Sequence, residues 1–226
     1  MIGEGLYITR FSAWAPGIAA AAEWDEWARG EREIQSGSKG PEIAFTDTMF
    51  RRRLSQISKM TIQVVHDLLP VDEDTKMIFL SFRGELAKQY TVNRMLIEDH
   101  ALMPAAFSLS VFNAPIALAS MALGLKGGYT ALYPGNNSFA TGLAAAQAML
   151  LSEMKDQLVF VYADEEIPSE YANIFSDKFA PFAFGFLLNR SAGPDAIALS
   201  SCDTGKARPE DFLRNLILCG KMHVSP

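Results

Sequence analysis

Two apolar patterns alternate along the chain. Unbroken apolar runs at 76–82 and 158–163 are typical of strands that are buried on both faces. Other segments repeat apolar residues at three- and four-residue spacing, which predicts amphipathic helices. The clearest of these helices covers 51–69 and is ended by Pro70. Further helices are predicted at 24–29, 85–99, 114–123, 139–151 and 208–219.

The remaining segments complete an alternation of strands and helices. Strands are predicted at 6–9 and 129–133, a loop at 30–46, and a loop or strand at 104–112. A polar turn at 189–194 separates the apolar runs 182–188 and 196–200, which predicts a hairpin. Together these segments predict a layered α/β domain with a mostly parallel sheet and one antiparallel hairpin.

The segment 127–154 reads as a strand, a tight turn and a helix. Pro134, Gly135 and Asn136 are turn residues, and Ser138 is a plausible helix N-cap. The helix 139–151 has almost no polar face, so we expect it to be buried on all sides. Several enzymes present a nucleophile in such a turn, because a helix N-terminus stabilises negative charge. Here the turn carries Asn136, Asn137 and Ser138, without a cysteine.

Composition narrows the class of protein. The length of 226 residues fits one large domain or two small ones. The net charge of −6 argues against non-specific binding to nucleic acid. We expect a cytoplasmic protein, because the sequence has no apolar run of membrane-spanning length and no signal-peptide pattern at its start. Cys202 and Cys219 lack any ligand spacing, so no metal site and no cofactor are predicted.

The residues form no complete catalytic constellation. Nucleotide-binding glycine motifs and the Gly-x-Ser-x-Gly elbow are absent from the sequence. His66, His100 and His223 have no metal-ligand spacing, and His66 reads as structural or surface-facing. Asp164, Glu165 and Glu166 follow a buried strand and are read as a solvated loop or as a source of one catalytic carboxylate.

A basic cluster marks the start of the helix predicted at 51–69. Arg51, Arg52 and Arg53 would lie where the helix dipole disfavours cations. The cluster is either a solvated face or a contact for an acidic partner such as a carrier protein.

Several motifs together resemble the N-terminal half of β-ketoacyl synthases, which have the thiolase-like fold. The segment 107–115 ends in Asn113-Ala114-Pro115, and the next helix ends in Gly124-Leu125-Lys126-Gly127. The strand that ends at Asp164-Glu165 and the helix start at 50–60 are similar to segments of that family. The resemblance covers about residues 5–200. It implies a single domain over residues 1–226 with the layered α/β/α architecture of a thiolase-like half.

The resemblance also implies a missing nucleophile. Counted from Asn113, the family's cysteine position is Asn136, and counted from Glu165 it is Asn137. An amide cannot accept an acyl group as a thiolate does. The family's second half, which carries two catalytic histidines, has no counterpart in this sequence. We therefore expect the chain alone to catalyse no condensation.

In that family, a synthase can pair with a nucleophile-less homologue called a chain-length factor. This chain resembles a truncated factor of the kind associated with aryl polyene clusters in Gram-negative bacteria. The implied partners are a full-length β-ketoacyl synthase and an acyl carrier protein, for which Arg51–Arg53 are docking candidates. By the same resemblance Phe107, Ser110, Val111 and Phe112 are candidates for the floor or gate of the acyl tunnel, and ordinary core positions remain the alternative.

Two other functions stay open at this point. The chain could be a hydrolase or decarboxylase that acts on carrier-bound thioesters through Ser138, Cys202 or Glu165. It could also be a scaffold that only docks carrier protein through Arg51–Arg53.

The apolar helix 139–151 needs a cover on its second side, and either the helix 208–219 or another chain would supply it.

Overall fold

A computed structural model describes residues 3–135, 138–152, 155–171, 173–174, 180–202 and 208–219. The prediction of alternating helices and strands is confirmed. The strands are β1 (Tyr7–Trp14), β2 (Lys76–Leu80), β3 (Tyr129–Leu132), β4 (Gln157–Asp164), β5 (Phe182–Asn189) and β6 (Ile197–Ala198). The helices are α1 (Ala21–Ala28), α2 (Thr48–Arg51), α3 (Gln56–His66), α4 (Leu86–Glu98), α5 (Pro104–Ser108), α6 (Ala114–Leu123), α7 (Phe139–Ser152) and α8 (Pro209–Cys219).

One mixed sheet joins all six strands in the order β3-β2-β4-β5-β1-β6. Strand β2 pairs in parallel with β3 and with β4. The pairings of β4 with β5, of β5 with β1 and of β1 with β6 are antiparallel. The layered α/β class with a mixed sheet is therefore confirmed. The expected predominance of parallel pairs is wrong, because the β4–β5–β1–β6 half of the sheet is antiparallel.

The predicted hairpin of 182–188 with 196–200 is also wrong. Strand β1 lies between β5 and β6, and Tyr7 is paired with Asn189 on one side and with Ala198 on the other. The turn at 189–194 therefore spans an inserted strand. Turn chemistry is local, so it could not reveal that the N-terminal strand would enter this gap.

The sheet separates two apolar cores, and each buried strand contributes to both through its alternating side chains. In β2, Met77 and Phe79 face the core formed with α3 and α6. Ile78 and Leu80 face the opposite core, which also contains α1, α7 and α8. The unbroken apolar runs at 76–82 and 158–163 are thus explained by burial on both faces.

Helix α7 is buried on one side only. Phe139, Gly142, Leu143, Ala146 and Leu150 are buried against the sheet. The opposite side exposes the positions Thr141, Ala144, Ala148 and Leu151. Helix α8 packs at the start of α7, where the Phe212 ring lies 5.0 Å from the Phe139 ring. The expectation that α7 is buried all round is therefore wrong within this chain, because α8 covers only part of its surface.

The helix predicted at 51–69 is two helices. Helix α2 ends at Arg51, and α3 begins at Gln56, where the Ser55 hydroxyl accepts a hydrogen bond from the Ser58 amide (3.2 Å). This N-cap starts a new helix inside a continuous apolar pattern. Arg51 consequently lies in the last turn of α2, where the helix dipole favours a cation, and the unfavourable position expected for it is wrong.

Residues 104–108 form a helix rather than the predicted loop or strand. Pro104 occupies the first turn of α5, where its fixed φ and missing N–H are tolerated. None of the helices within the described ranges is both long enough and apolar enough to cross a bilayer.

Candidate functional site

The strand–turn–helix of 127–154 forms as predicted. Strand β3 ends at Leu132, the chain turns through Tyr133, Pro134 and Gly135, and α7 begins at Phe139. Asn136 and Asn137, the predicted nucleophile positions, lie outside the described residues. Ser138 is half-buried, and its carbonyl accepts a hydrogen bond from the Thr141 amide (3.1 Å). The elbow therefore opens at the end of β3, on the α7 side of the sheet.

Asp164 lies beside this elbow, because β3, β2 and β4 are parallel and end at the same edge of the sheet. Its carboxylate is buried and accepts hydrogen bonds from the Ser81 hydroxyl (2.6 Å), the Tyr162 hydroxyl (2.6 Å) and the amides of Phe82 and Arg83 (3.1 Å each). Burial raises the pKa of Asp164, whereas the Arg83 guanidinium and these donors oppose the rise. With its lone pairs engaged, Asp164 anchors the turn between β2 and α4.

Glu165 points to the other face of the sheet and joins two helix N-termini. Its Oε1 accepts a hydrogen bond from the Ala87 amide in α4 (2.9 Å), and its Oε2 accepts a longer one from the Ile57 amide in α3 (3.4 Å). Burial raises the pKa of Glu165 to about 8, the Glu85 carboxylate adds to the rise, and the two amides oppose it. Glu165 therefore caps α3 and α4 together.

Glu85 is the second acid of this buried pair. Its Oε1 accepts hydrogen bonds from the Ser58 hydroxyl (2.5 Å) and the Ser55 hydroxyl (2.7 Å). Its Oε2 is buried without a hydrogen-bond partner among the described residues. Burial raises the pKa of Glu85, whereas the two hydroxyls and the Lys88 ammonium oppose the rise.

The solvated loop predicted at 164–166 is therefore wrong for two of its three residues. Asp164 and Glu165 are 1% and 3% exposed, and only Glu166 is half-buried. The local sequence pattern did not indicate Glu85 as the partner of Glu165, because Glu85 reads as the first polar residue of a helix. A polar residue directly after a doubly buried strand is the signal that could have indicated burial.

The residues offered for stand-alone catalysis are not brought together. The Cys202 thiol is buried, and burial raises its pKa to about 11, which opposes formation of a thiolate. Among the described residues, no acid or imidazole is hydrogen-bonded to the Ser138 hydroxyl. Both oxygens of Glu165 are engaged by backbone amides, and the side chain lies across the sheet from α7.

The histidines lie at separate places. His66 ends α3, stacks on Phe45 at a centroid distance of 3.6 Å, and has its Nδ1 3.3 Å from the Asp67 carboxylate. His100 is exposed just after α4, and His223 lies outside the described residues. Within the described ranges, His, Cys, Asp and Glu form no group of three or more that could hold a metal.

The four tunnel candidates form the junction between α5 and α6. Phe107 is 52% exposed and Val111 is 37% exposed. Ser110 is buried, and its hydroxyl donates to the Phe107 carbonyl (2.9 Å). Phe112 is partly buried against Phe79, at a ring-centroid distance of 6.1 Å. The structure thus exposes two of the four side chains and turns the other two inward.

A groove lies beside this junction, between α2, α5 and α6. Its volume is about 420 Å³, and its walls include Phe50, Leu54, Val111, Leu118 and Met121. Arg53 is the charged residue of its lining. Of the three arginines in the basic cluster, Arg51 donates to the carbonyls of Ala44 (3.0 Å) and Thr46 (2.9 Å), whereas Arg52 and Arg53 are exposed.

Three solved structures have related folds. The ketosynthase ApeO in complex with its chain length factor ApeC, from Xenorhabdus doucetiae, contains a chain with TM-score 0.69 and 26% identity, and the match covers 83% of this chain and 80% of that one. The ishigamide ketosynthase/chain length factor has TM-score 0.65 and 14% identity (84% and 64% covered). The acyl-carrier protein–ketosynthase complex AntDE:AntF has TM-score 0.61 and 14% identity (81% and 62% covered). The chain thus spans slightly under two thirds of the last two.

The family comparison agrees with these structures. No curated protein sequence matches the chain. The profile of the β-ketoacyl synthase N-terminal domain matches residues 24–212, which is most of the chain and includes the elbow, the three buried acids and the groove. The resemblance drawn from the sequence is confirmed, and this chain belongs to the β-ketoacyl synthase N-terminal domain family.

Proposed function

We propose that this chain is a non-catalytic, chain-length-factor-like subunit that pairs with a β-ketoacyl synthase and helps to shape its acyl tunnel. The reaction setting would be polyketide, aryl polyene or fatty-acid-like biosynthesis. The observation that carries the proposal is the family's elbow with asparagine at both possible nucleophile positions, Asn136 and Asn137. The chain would act as one domain over residues 1–226.

The solved relative of similar length supports a paired role. The ApeO–ApeC complex contains a ketosynthase and its chain length factor, and the matched chain is covered to 80% by this one. The absence of an activated nucleophile among the described residues favours this role over that of a stand-alone enzyme.

The free edge of the sheet is the surface we propose for pairing. Strand β3 is the last strand on its side, so one edge of its backbone has no strand partner within the described residues. Tyr129–Leu132 contains neither a charge nor a proline, the usual protections of an exposed edge. Val111, Met121 and Tyr133 add exposed apolar side chains around it, with Met121 at 75% exposure. An edge of this kind favours addition of a partner strand.

Pairing is tested by co-expressing the chain with each β-ketoacyl synthase of the same genome and measuring co-purification. We expect a stable complex, and we expect Met121→Asp to weaken it more than tenfold because a charge would be buried at the interface. Leu218→Asp, at an exposed position on α8, is the matched control and should leave the complex intact. A chain that stays alone with its cognate synthase would refute the proposed function.

The tunnel assignment makes a separate prediction. Val111→Trp should shorten the products of the paired synthase by filling space at the α5–α6 junction, as read by mass spectrometry of the released chains. Leu151→Trp changes an exposed residue on α7, on the other face of the sheet, and should leave product length unchanged. Unchanged product length in the Val111 variant would remove this junction from the tunnel.

Carrier docking remains proposed for the basic cluster. Because the Arg51 guanidinium donates hydrogen bonds to carbonyls of its own loop, Arg52 and Arg53 are the arginines whose charges are available to a carrier protein. Replacing both with glutamine should lower the affinity of the complex for acyl carrier protein several-fold, and the loss should shrink as salt is added. Glu33→Gln, an exposed change elsewhere on the surface, is the control for non-specific charge effects. Equal carrier affinity in all variants would exclude this docking site.

A further inference from the structure

We infer that the groove between α2, α5 and α6 binds a small amphiphile with an anionic head, of the class of medium-chain carboxylates. The inference rests on the size of the groove, its apolar walls and the single charged residue of its lining. The groove shares Val111 and Met121 with the surfaces proposed for pairing and for the tunnel, so the inference is tested on the chain without a synthase, where its own residues form the lining.

The groove has the dimensions of a small-molecule site. Its volume of about 420 Å³ falls within the range of 300–1,000 Å³ that is usual for ligand pockets. Phe50 and Leu54 form one wall, and Val111, Leu118 and Met121 form the other. An alkyl or aryl body would gain free energy by leaving water for these walls, in proportion to the apolar area it buries.

Arg53 supplies the charge that would select the head group. No carboxylate of the described residues forms an ion pair with Arg53, and Arg53 is among the residues that line the groove. The neighbouring Arg51 is different, because loop carbonyls already occupy its guanidinium. A guanidinium without an internal partner can form two parallel hydrogen bonds with a carboxylate.

The backbone beneath Arg53 is fixed before any ligand arrives. Its amide donates to the Phe50 carbonyl (3.1 Å), and its carbonyl accepts from the Lys88 ammonium (2.6 Å). Lys88 is half-buried, and Ser55, two residues after Arg53, is tied to Glu85. Arg53 thus lies in a turn whose backbone is fixed by hydrogen bonds, which lowers the conformational entropy that is lost when a ligand binds.

The remaining polar groups of the groove do not compete for this role. The Ser108 hydroxyl donates to the Ala105 carbonyl (3.0 Å), and the Asn113 amide nitrogen donates to the Tyr129 hydroxyl (3.3 Å). Arg53 is therefore the charged residue of the lining, and it carries the predicted preference for an anion.

The test is a calorimetric titration of the full chain with decanoate, kept below its micelle concentration. Decan-1-ol and decyltrimethylammonium are titrated in parallel as the neutral and cationic probes. We expect one decanoate per chain, bound at least tenfold more tightly than either of the other two probes. Equal affinity for decanoate and decan-1-ol would overturn the assignment of Arg53, and no binding of decanoate would overturn the site.

Three variants locate the ligand. Arg53→Gln should weaken decanoate binding about tenfold or more, because a charge-assisted hydrogen bond is lost. Arg52→Gln removes an exposed charge from the same turn without changing the groove lining, and it should bind like the unchanged chain. Ala117→Phe should fill the groove and abolish binding, with circular dichroism used to verify the fold. Loss of affinity in the Arg52 variant equal to that in the Arg53 variant would show general charge attraction and refute the site.

Discussion

Between about pH 4.5 and pH 8 the free energy of unfolding of this chain is expected to fall as pH rises. The cause is Glu165, whose pKa is raised from its usual 4.5 to about 8 by burial and by the neighbouring Glu85 carboxylate. In this interval the folded chain retains the Glu165 proton, whereas the unfolded chain releases it. Because the folded state binds more protons, its stability declines with pH, by at most about 1.4 kcal/mol per pH unit for one group.

The stabilisation is complete below the unfolded pKa and is lost once pH passes the folded pKa. Above about pH 8 the folded chain must hold the Glu165 carboxylate buried beside Glu85, with the amides of α3 and α4 as the groups that favour its charge. Chemical denaturation at pH 5, 6, 7, 8 and 9 would measure the slope. We expect the steepest part below pH 8 and a flat region above it for this group.

The Glu85→Gln variant tests the electrostatic interaction between Glu85 and Glu165. The amide oxygen can still accept from Ser55 and Ser58, while the second charge is removed from the vicinity of Glu165. The pKa of Glu165 should fall, so the decline in stability should be shallower than in the unchanged chain. The buried amide nitrogen adds a constant cost of about 1–3 kcal/mol, so the slopes and not the absolute values are compared. Glu33→Gln is the exposed control, and identical slopes in all three proteins would refute coupling between Glu85 and Glu165.

Replacing Phe139 with alanine is expected to be the most destabilising single change in α7. Its ring is 1% exposed and lies 5.0–6.0 Å from the rings of Phe160, Tyr162, Phe184 and Phe212. Removing it would leave a cavity where the elbow helix meets the sheet and α8. We expect a loss of about 3–5 kcal/mol in the free energy of unfolding.

Phe107→Ala is the matched control, because this phenylalanine is 52% exposed on α5. Its effect on the isolated chain should stay within about 0.5 kcal/mol. Phe139→Leu retains part of the volume and should fall between the two. Equal denaturation midpoints for the Phe139→Ala and Phe107→Ala variants would show that the aromatic cluster does not hold α7 in place.

The local apolar pattern was sufficient to predict those elements of the fold whose positions are set by burial alone. The runs 76–82 and 158–163 were readable as doubly buried strands, since both faces of β2 and β4 meet apolar cores. The break between α2 and α3 was missed because apolar spacing continues across Ser55, and only its cap hydrogen bond separates the helices. The insertion of β1 between β5 and β6 depends on contacts far apart in sequence, which periodicity does not encode.

The candidate site was less readable than the fold. The elbow could be predicted because strand, turn and helix signals follow one another in the sequence. The buried acids could not, since the donors that engage Asp164 and Glu165, apart from the Tyr162 hydroxyl, come from residues 57, 81–83 and 87, on separate elements. The groove likewise joins α2 to α5 and α6, and no motif connects Arg53 with Val111 before the chain has folded.

The place of β1 in the sheet has a consequence for synthesis on the ribosome. Tyr7 pairs with Asn189, so β1 must wait until the chain has been made as far as β5 before either of its edges is covered. At 5–20 residues per second this delay is roughly 10–40 seconds. During that time Ile8, Phe11 and Ala13, which end up buried, are without their neighbours in β5. Strand β1 is therefore the segment we expect chaperones to hold until β5 and β6 have been synthesised.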